Sequence, residues 1–577
     1  MRPVPKPRHP LAVLLLAAVA AFYGYQAAFD DRLSDTQVNI ACAAIKRQRP
    51  ETAFRHDPIY GAGELWKFHT PAYHGLLELA LVPTGYQDLR WPFRAMAGVL
   101  AMVYLCGMYA LLYAQCRSWS VSAFVAVLSS RVVEALGGGL WGIGPLESIT
   151  PAGMVLAVSP LAVLALVRYS RRDREAAWPW RLLLLFGVIG LLGNIHLVTA
   201  MNLTGVLLIA YVCERRLAPR ALAVAAGCGA CALLGALPYA GYYFALRAHL
   251  AAASGPATSE TIHAALRAGR LAVLYPEMLK ELLDWRLLAG ALVLGVPAGA
   301  ALLGLERYRV SRRALWGWML AAAGPVAFGL HGASQLIGAV RDAAPPAIDF
   351  LHASCLLLLP LYVLLAQELT ALFRLARDHR KLLRWLCAAV AAAWLLPADN
   401  FRVARHAAVD LLVATFARPP QDDSAPWRYV SGLYDYAERH RERRQRAEEL
   451  EAVAAYARGR DNAVWLTDQS EFRMQARRAI AVGPTDVRYY YYLCPGRLGE
   501  WMERFRRQDE LLHPPAGPAD PGAIARFVDE LAARSDRPPP AEWYVLLRAA
   551  SAPQDPAPLE SIQGGSWGRH WRVYRVR

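Results

Sequence analysis

The strongest constraint on this chain is a succession of apolar runs long enough to approach a ~30 Å hydrocarbon core. Nine of them lie near residues 11–29, 93–114, 119–136, 152–167, 221–245, 287–305, 314–330, 350–366 and 383–398. With 55% hydrophobic residues in 577, the chain is too apolar for a soluble protein of its length and reads as a polytopic α-helical membrane protein. A tenth run, Leu182 to Cys213, would be ~48 Å long as one helix at ~1.5 Å per residue, beyond the core even when tilted. It is expected to break at Gly193-Asn194-Ile195-His196 and cross twice, which gives about eleven spans.

The basic residues support that break. Short loops rich in Lys and Arg stay on the cytoplasmic side. Arg2, Lys6 and Arg8 precede the first span, and later clusters occur at Arg168 to Arg174, Arg215 to Arg220, Arg307 to Arg313 and Arg374 to Lys381. All share one side only if 182–213 crosses twice. The loop 30–92 and the C-terminal tail then face outward from a cell inner (plasma) membrane. Ala18-Val19-Ala20 resembles a cleavage site, but the first apolar run is long for a signal peptide and is read as a retained anchor. The net charge of +16 follows from these loops and anionic headgroups, and no nucleic-acid motif accompanies it. Of nine cysteines, only Cys42 and Cys494 fall clearly in outer polar segments, so a disulfide framework is not expected.

Residues 1–398 are expected to form the membrane domain, including the 30–92 loop, and 399–577 a water-facing α/β domain. In the tail a charged helical pattern covers Trp427 to Arg458. Strand patterns follow at Ala463–Thr467, Ala479–Val482, Trp543–Leu547 and Trp571–Val576, with helices near Leu498–Leu511 and Ala523–Arg534.

Polar chemistry concentrates in the first loop. FDDRLSD, Phe29 to Asp35, places three acids at the exit of the first span. Asp31 is the leading candidate for a catalytic base, with Asp30 and Asp35 beside it. The next stretch, RHDPIYGAGELWKFHTPAYH, brings Asp57 as a second carboxylate or metal ligand, and Trp66, His69 and Tyr73 as candidate substrate contacts. Aromatic residues here equally suit an interfacial belt. His56, His69 and His74 follow no zinc spacing. Candidate phosphate-binding cations are Arg267, Arg270 and Lys280 in the 246–286 loop and Arg341 in the 331–349 loop, because the guanidinium fork can hold phosphate oxygens bidentately. Arg341 adjoins Asp342, so a local ion pair is the competing reading. His196, at the turn in the long run, is a further candidate contact. Arg131 and Glu134 are spaced to share one face of the third span.

FDDRLSD, the span pair around GNIHLVT, about eleven helices and a tail containing AVWLTDQSEFRMQARRAIAVGPTDV and LGEWMERF together resemble the GT-C superfamily of integral membrane glycosyltransferases, in particular bacterial members with a soluble C-terminal domain. The resemblance implies a polyprenyl-phosphate or polyprenyl-diphosphate sugar donor, an acceptor glycan, lipid or protein, an outer-face active site, and an acidic catalytic residue at Asp30 or Asp31. A divalent metal serves some members of the superfamily. Two other functions fit the architecture: a transporter or flippase of lipid-linked glycans, and a non-catalytic membrane assembly or sensing protein.

Overall fold

The computed structural model describes all residues except 1–8, 30–32, 34, 62–63, 86–87, 136–138, 142–149, 173–178, 253, 256, 270–284, 304–311, 343–349, 377, 399–400, 417–424, 516, 535–539, 541 and 565–566. Its first helices are α1 (His9–Phe29), α2 (Asp35–Gln48), α3 (Pro71–Leu81), α4 (Trp91–Cys116), α5 (Trp119–Leu128), α6 (Pro151–Arg172), α7 (Trp180–Leu192), α8 (Leu197–Glu214), α9 (Pro219–Ala252) and α10 (Ser259–Ala268). There follow α11 (Trp285–Leu303), α12 (Arg313–Gly324), α13 (Leu330–Val340), α14 (Leu358–Leu375), α15 (Arg380–Leu395) and α16 (Arg402–Thr415).

Among the described residues, 7 helices are long and apolar enough to cross a membrane, and Trp119–Leu128, Trp180–Leu192 and Leu292–Leu303 are shorter apolar helices. The protein is membrane-embedded. The eleven expected spans do not, however, all appear at full length among the described residues. The run expected over 314–330 is part of one continuous segment, Arg313–Val340, so residues 331–340 of the expected loop are helical.

The long run breaks where expected, into α7 and α8, and Asn194 shows why. Its Nδ2 donates to the carbonyls of Leu191 at 3.0 Å and Gly235 at 2.8 Å, while its Oδ1 accepts the Tyr239 N–H at 3.0 Å. Pro238 lies inside α9, and proline disturbs the local helical ladder. The Asn194 amide bridges Gly235 and Tyr239, which a regular helix would bond directly. Close approach of α7 and α9 makes this reach possible: a Cβ on Gly190 would lie 2.1 Å from the Ala232 carbonyl oxygen, and one on Gly235 would lie 2.6 Å from that of Gly187.

The basic ends of three helices meet on one side. Arg312 pairs with Glu214 at 2.6 Å and donates to the Val167 carbonyl at 2.9 Å, and Arg215 donates to the Ser170 carbonyl. The chain therefore returns to the same side after α7 and α8, as the charge pattern requires.

The third run departs from expectation. Helix α5 ends at Leu128, and Ser129, Ser130, Arg131 and Val132 are buried without helical structure. Side chains satisfy the helix end: the Tyr362 hydroxyl and the Trp394 indole N–H donate to the Leu128 carbonyl at 3.3 and 3.2 Å, and the Tyr104 hydroxyl donates to the Ser129 carbonyl at 3.1 Å. Irregular backbone survives inside a helical bundle only when its polar groups are paired in this way. Arg131 lies 3.9 Å from the centre of the Trp394 ring. Glu134 belongs to a strand, Val133–Ala135 (β1), paired with Gly139–Trp141 (β2), so Arg131 and Glu134 do not share a helical face.

The tail holds α17 (Ala425–Arg458), β3 (Ala463–Leu466), α18 (Ser470–Ala476), β4 (Ala479–Ile480), α19 (Val487–Leu493), α20 (Leu498–Leu512), α21 (Pro521–Ala533), β5 (Glu542–Arg548), β6 (Leu559–Ile562) and β7 (Trp571–Val576). The sheet order is β4-β3-β5-β7-β6, with β3 parallel to β4 and β5, and β7 antiparallel to β5 and β6. Alternation along the strands separates two cores. Trp465, Tyr544, Leu546 and Val573 pack with Val453, Ala457 and Phe472 of α17 and α18, whereas Leu466, Val545, Leu547 and Tyr574 pack with Leu512, Ile524 and Phe527 of α20 and α21. The sheet thus carries helices on both faces. β6 is the strand the sequence did not signal: of its four residues only Leu559 is buried.

Candidate functional site at the junction of the first loop and the tail

The first loop and the segment between β4 and α20 share one hydrophobic core. It contains Phe54, Tyr60, Leu65, Tyr73 and Leu77 from the loop and Val487, Tyr489, Tyr490, Leu493 and Trp501 from the tail. Three tyrosines of α9 seat both sides. Tyr239 donates to the Phe68 carbonyl at 3.0 Å, Tyr242 to that of Lys67 at 3.0 Å, and Tyr243 to that of Tyr492 at 3.2 Å. The loop and tail consequently lie on the same side of the helical bundle.

At the base of this junction is a buried charge triad. Arg473 Nε lies 2.8 Å from Asp57 Oδ2, and its outer nitrogens reach Asp486 at 2.6 and 2.9 Å. Asp57 and Asp486 are 0% exposed and Arg473 is 1% exposed. Asp57 also accepts from the backbone N–H groups of Ile59 at 2.9 Å, Tyr60 at 3.1 Å and Ile480 at 3.2 Å, so the loop also covers the outer edge of the sheet at β4. Burial, against the opposing pull of Arg473, raises the Asp57 carboxyl above its ordinary range. Burial would lower the Arg473 guanidinium, but Asp486 and Asp57 outweigh it and hold the group charged. Asp57, expected to touch substrate or metal, instead joins two parts of the fold. A carboxylate with no solvent exposure and both oxygens engaged by the chain is not available to a ligand.

Above the triad runs a directed hydrogen-bond relay. The Tyr60 hydroxyl contacts the Asn39 carbonyl at 3.0 Å and the Tyr489 hydroxyl at 2.5 Å, and Tyr489 contacts His69 Nε2 at 2.9 Å. A carbonyl can only accept, so Tyr60 donates to Asn39, Tyr489 donates to Tyr60, and His69 donates through Nε2–H. This order leaves Nδ1 as the acceptor nitrogen of His69. Burial, then His74 and Arg488, hold the His69 pKa well below its usual value, so the ring is neutral at pH 7. The His74 ring stands 5.7 Å from that of His69, centre to centre. It is 3% exposed, and neither nitrogen has a hydrogen-bond partner among the described residues. Burial, with Arg47 nearby, lowers its pKa to about 4.

The tail also contributes a cation. Arg488 donates to the Thr36 hydroxyl at 2.8 Å, in the first turn of α2 and beside exposed Asp35. Asp30 and Asp31 lie outside the described residues. The tail therefore brings Arg488 to the acid-bearing end of the first loop. The segment VRYYYYL, Val487 to Leu493, carried the only sequence signal, an Arg leading a tyrosine run.

The remaining candidates take other places. Tyr73 is 1% exposed in the shared core and offers no open ring face of the kind expected, and Trp66 packs, half-buried, at the margin of that core. His196 caps α8 by accepting the Thr199 N–H on Nδ1 at 3.3 Å, and its turn is tied to the loop by Thr70, which donates to the Ile195 carbonyl at 2.9 Å. Arg267 is exposed on α10, and Arg341 is exposed at the end of α13. Neither bonds to the first loop among the described contacts. Asp342, expected as a partner for Arg341, accepts the Ser259 N–H at 3.0 Å. Arg270 and Lys280 lie outside the described residues. Cys42 and Cys494 are buried free thiols. Among the described residues no group of three or more His, Cys, Asp or Glu could hold a metal ion.

No protein-family model matches the chain, and no curated protein matches it in sequence.

Proposed function

We propose that the protein is an inner-membrane glycosyltransferase of the GT-C type, moving a sugar from a polyprenyl-phosphate or polyprenyl-diphosphate donor to an acceptor glycan, lipid or protein on the outer face. In this reading the 7 long apolar helices are joined by Trp119–Leu128, Trp180–Leu192, Leu292–Leu303 and α15 to make eleven crossings. The tail is then a periplasmic or extracytoplasmic α/β domain.

The observation that carries the proposal is the 2.8 Å contact of Arg488 with Thr36. It supports the reading by bringing a cation from the tail to the first turn of α2, beside exposed Asp35. Asp31 or Asp30 takes the proton of the acceptor hydroxyl as the acceptor oxygen attacks the anomeric carbon. The bond from that carbon to the donor phosphate breaks, and the departing phosphate keeps the electron pair. Arg488 stabilises that charge, and the acceptor nitrogen of neutral His69 positions a hydroxyl.

The test is transfer in proteoliposomes containing a polyprenyl-phosphate sugar. Asp31→Asn, Asp30→Asn, their double variant and Arg488→Gln are compared with the wild type. Removing one charge-stabilising donor is expected to cost about 10²–10³ in rate. Unchanged transfer in the double variant and in Arg488→Gln would remove both ends of the mechanism. A protein that assembles and folds normally but transfers nothing from any donor favours the non-catalytic assembly reading, which the buried loop–tail junction also suits.

A further inference from the structure

Helix α16 turns an apolar, uncharged side outward. In water, a surface helix turns apolar residues inward and charges outward. Here His406 and Asp410 face the charged helix α17: the His406 ring lies 3.8 Å from that of His440 and 5.3 Å from that of Tyr436, and Asp410 lies 4.0 Å from both His440 and Arg441. The opposite side is exposed and consists of Ala407, Ala408, Leu411, Leu412, Ala414 and Thr415. Leu411 is 69% exposed, and Phe416 just beyond the helix is 64% exposed.

The position of α16 identifies what covers this stripe. The Ala404 N–H donates to Gln26 near the end of α1 at 3.2 Å, and Arg405 donates to the carbonyls of Leu396 and Ala398 just past α15, both at 2.7 Å. Phe401 packs on Phe22 and Tyr23 of α1 at 5.6 and 5.7 Å. The helix therefore starts level with the ends of two apolar helices. Both neighbouring helices also expose apolar side chains, Trp385 and Leu386 on α15, Leu396 just past it, and Tyr25 on α1. Its 14 residues include Arg402, Arg405 and Asp410, too many charges for a crossing helix, and its charged side is held against a helix rich in Arg and Glu. We infer that α16 lies in the membrane–water boundary, with Leu411, Leu412 and Phe416 among the acyl chains, and fixes the height of the tail above the bilayer. This inference is independent of the proposed activity and of which leaflet is involved.

The nine native cysteines preclude simple thiol labelling, so a nitroxide is attached through p-acetylphenylalanine placed at Leu411, at Thr415, or at exposed Glu442 of α17. The full-length protein is reconstituted in nanodiscs, and power saturation is measured with oxygen and with a water-soluble nickel chelate. Labels at 411 and 415 are expected to collide more with oxygen than with nickel, and the label at 442 the reverse. Nickel access at both 411 and 415 equal to that at 442 would overturn the inference. So would protection from both relaxants, which would mean that protein, a second copy or another partner, covers the stripe.

Discussion

Replacing Arg473 by Met is the most direct probe of the buried junction. The substitution keeps much of the side-chain volume but leaves Asp57 and Asp486, each 0% exposed, without their cation. Removing one member of a buried ion pair typically costs roughly 3–5 kcal/mol, because the surviving charge stays desolvated and unpaired. At about 1.4 kcal/mol per tenfold, the junction should open roughly 10²–10⁴ times more often. The reporters are built in: the N–H groups of Ile59, Tyr60 and Ile480 all donate to Asp57. Hydrogen exchange of peptides covering 57–61 and 479–482, in detergent or nanodiscs, should accelerate by that factor, while peptides from α7 and α8 stay unchanged. The triple variant Asp57→Asn, Arg473→Met, Asp486→Asn removes all three charges and should recover most of the loss. Exchange at these peptides within a factor of three of wild type in the single Arg473→Met variant would refute the view that the triad holds loop and tail together.

Three further outcomes follow from the geometry. His74 has a folded pKa of about 4 against an ordinary 6.5, so its neutral form is favoured by folding. The stability it contributes is fully present above pH 6.5, declines as pH falls towards 4, and amounts to roughly 3 kcal/mol across that window; His74→Gln should flatten this part of a pH–thermal-stability profile, and an unaltered profile would count against it. Asn194→Ala leaves the Gly235 carbonyl and the Tyr239 N–H without their amide partner, at about 1–3 kcal/mol for each buried group left unsatisfied, and should lower the melting temperature in detergent; Asn194→Asp, which cannot donate to Gly235, should not rescue it. Gly190→Ala puts a methyl 2.1 Å from the Ala232 carbonyl oxygen, so α7 and α9 must separate, and the yield of folded protein on gel filtration should fall well below that of Gly187→Ala, where a Cβ meets nothing within 4 Å.

Much of the architecture is legible in short-range patterns. Apolar run length identifies the membrane class, and the clusters around Arg168, Arg215 and Arg312 require that Leu182 to Cys213 turn back once, as the contacts joining Glu214 and Ser170 to the two arginines bear out. Short continuous apolar runs also mark β3 and β5, because a strand between two helical layers sends successive side chains to different cores and buries both faces. The end of α5 is not legible in this way. Leu128 is followed by Ser129, Ser130 and Arg131, a polar interruption that does not by itself end a helix, and side chains from α4, α14 and α15 decide that it stops there.

The sequence by itself determined the membrane class, the turn at Asn194, most of the tail's strands and helices, and the concentration of acids at the exit of α1. Only the tertiary structure decided what those residues touch. Asp57 and Ile480 are 423 positions apart, and nothing local to RHDPIYG distinguishes a carboxylate that will meet solvent from one that will be sealed against Arg473. The same holds for Arg488, which reaches Thr36 across 452 positions. Periodicity and turn chemistry act over a few residues, whereas burial and charge pairing depend on which distant segments the folded chain brings together.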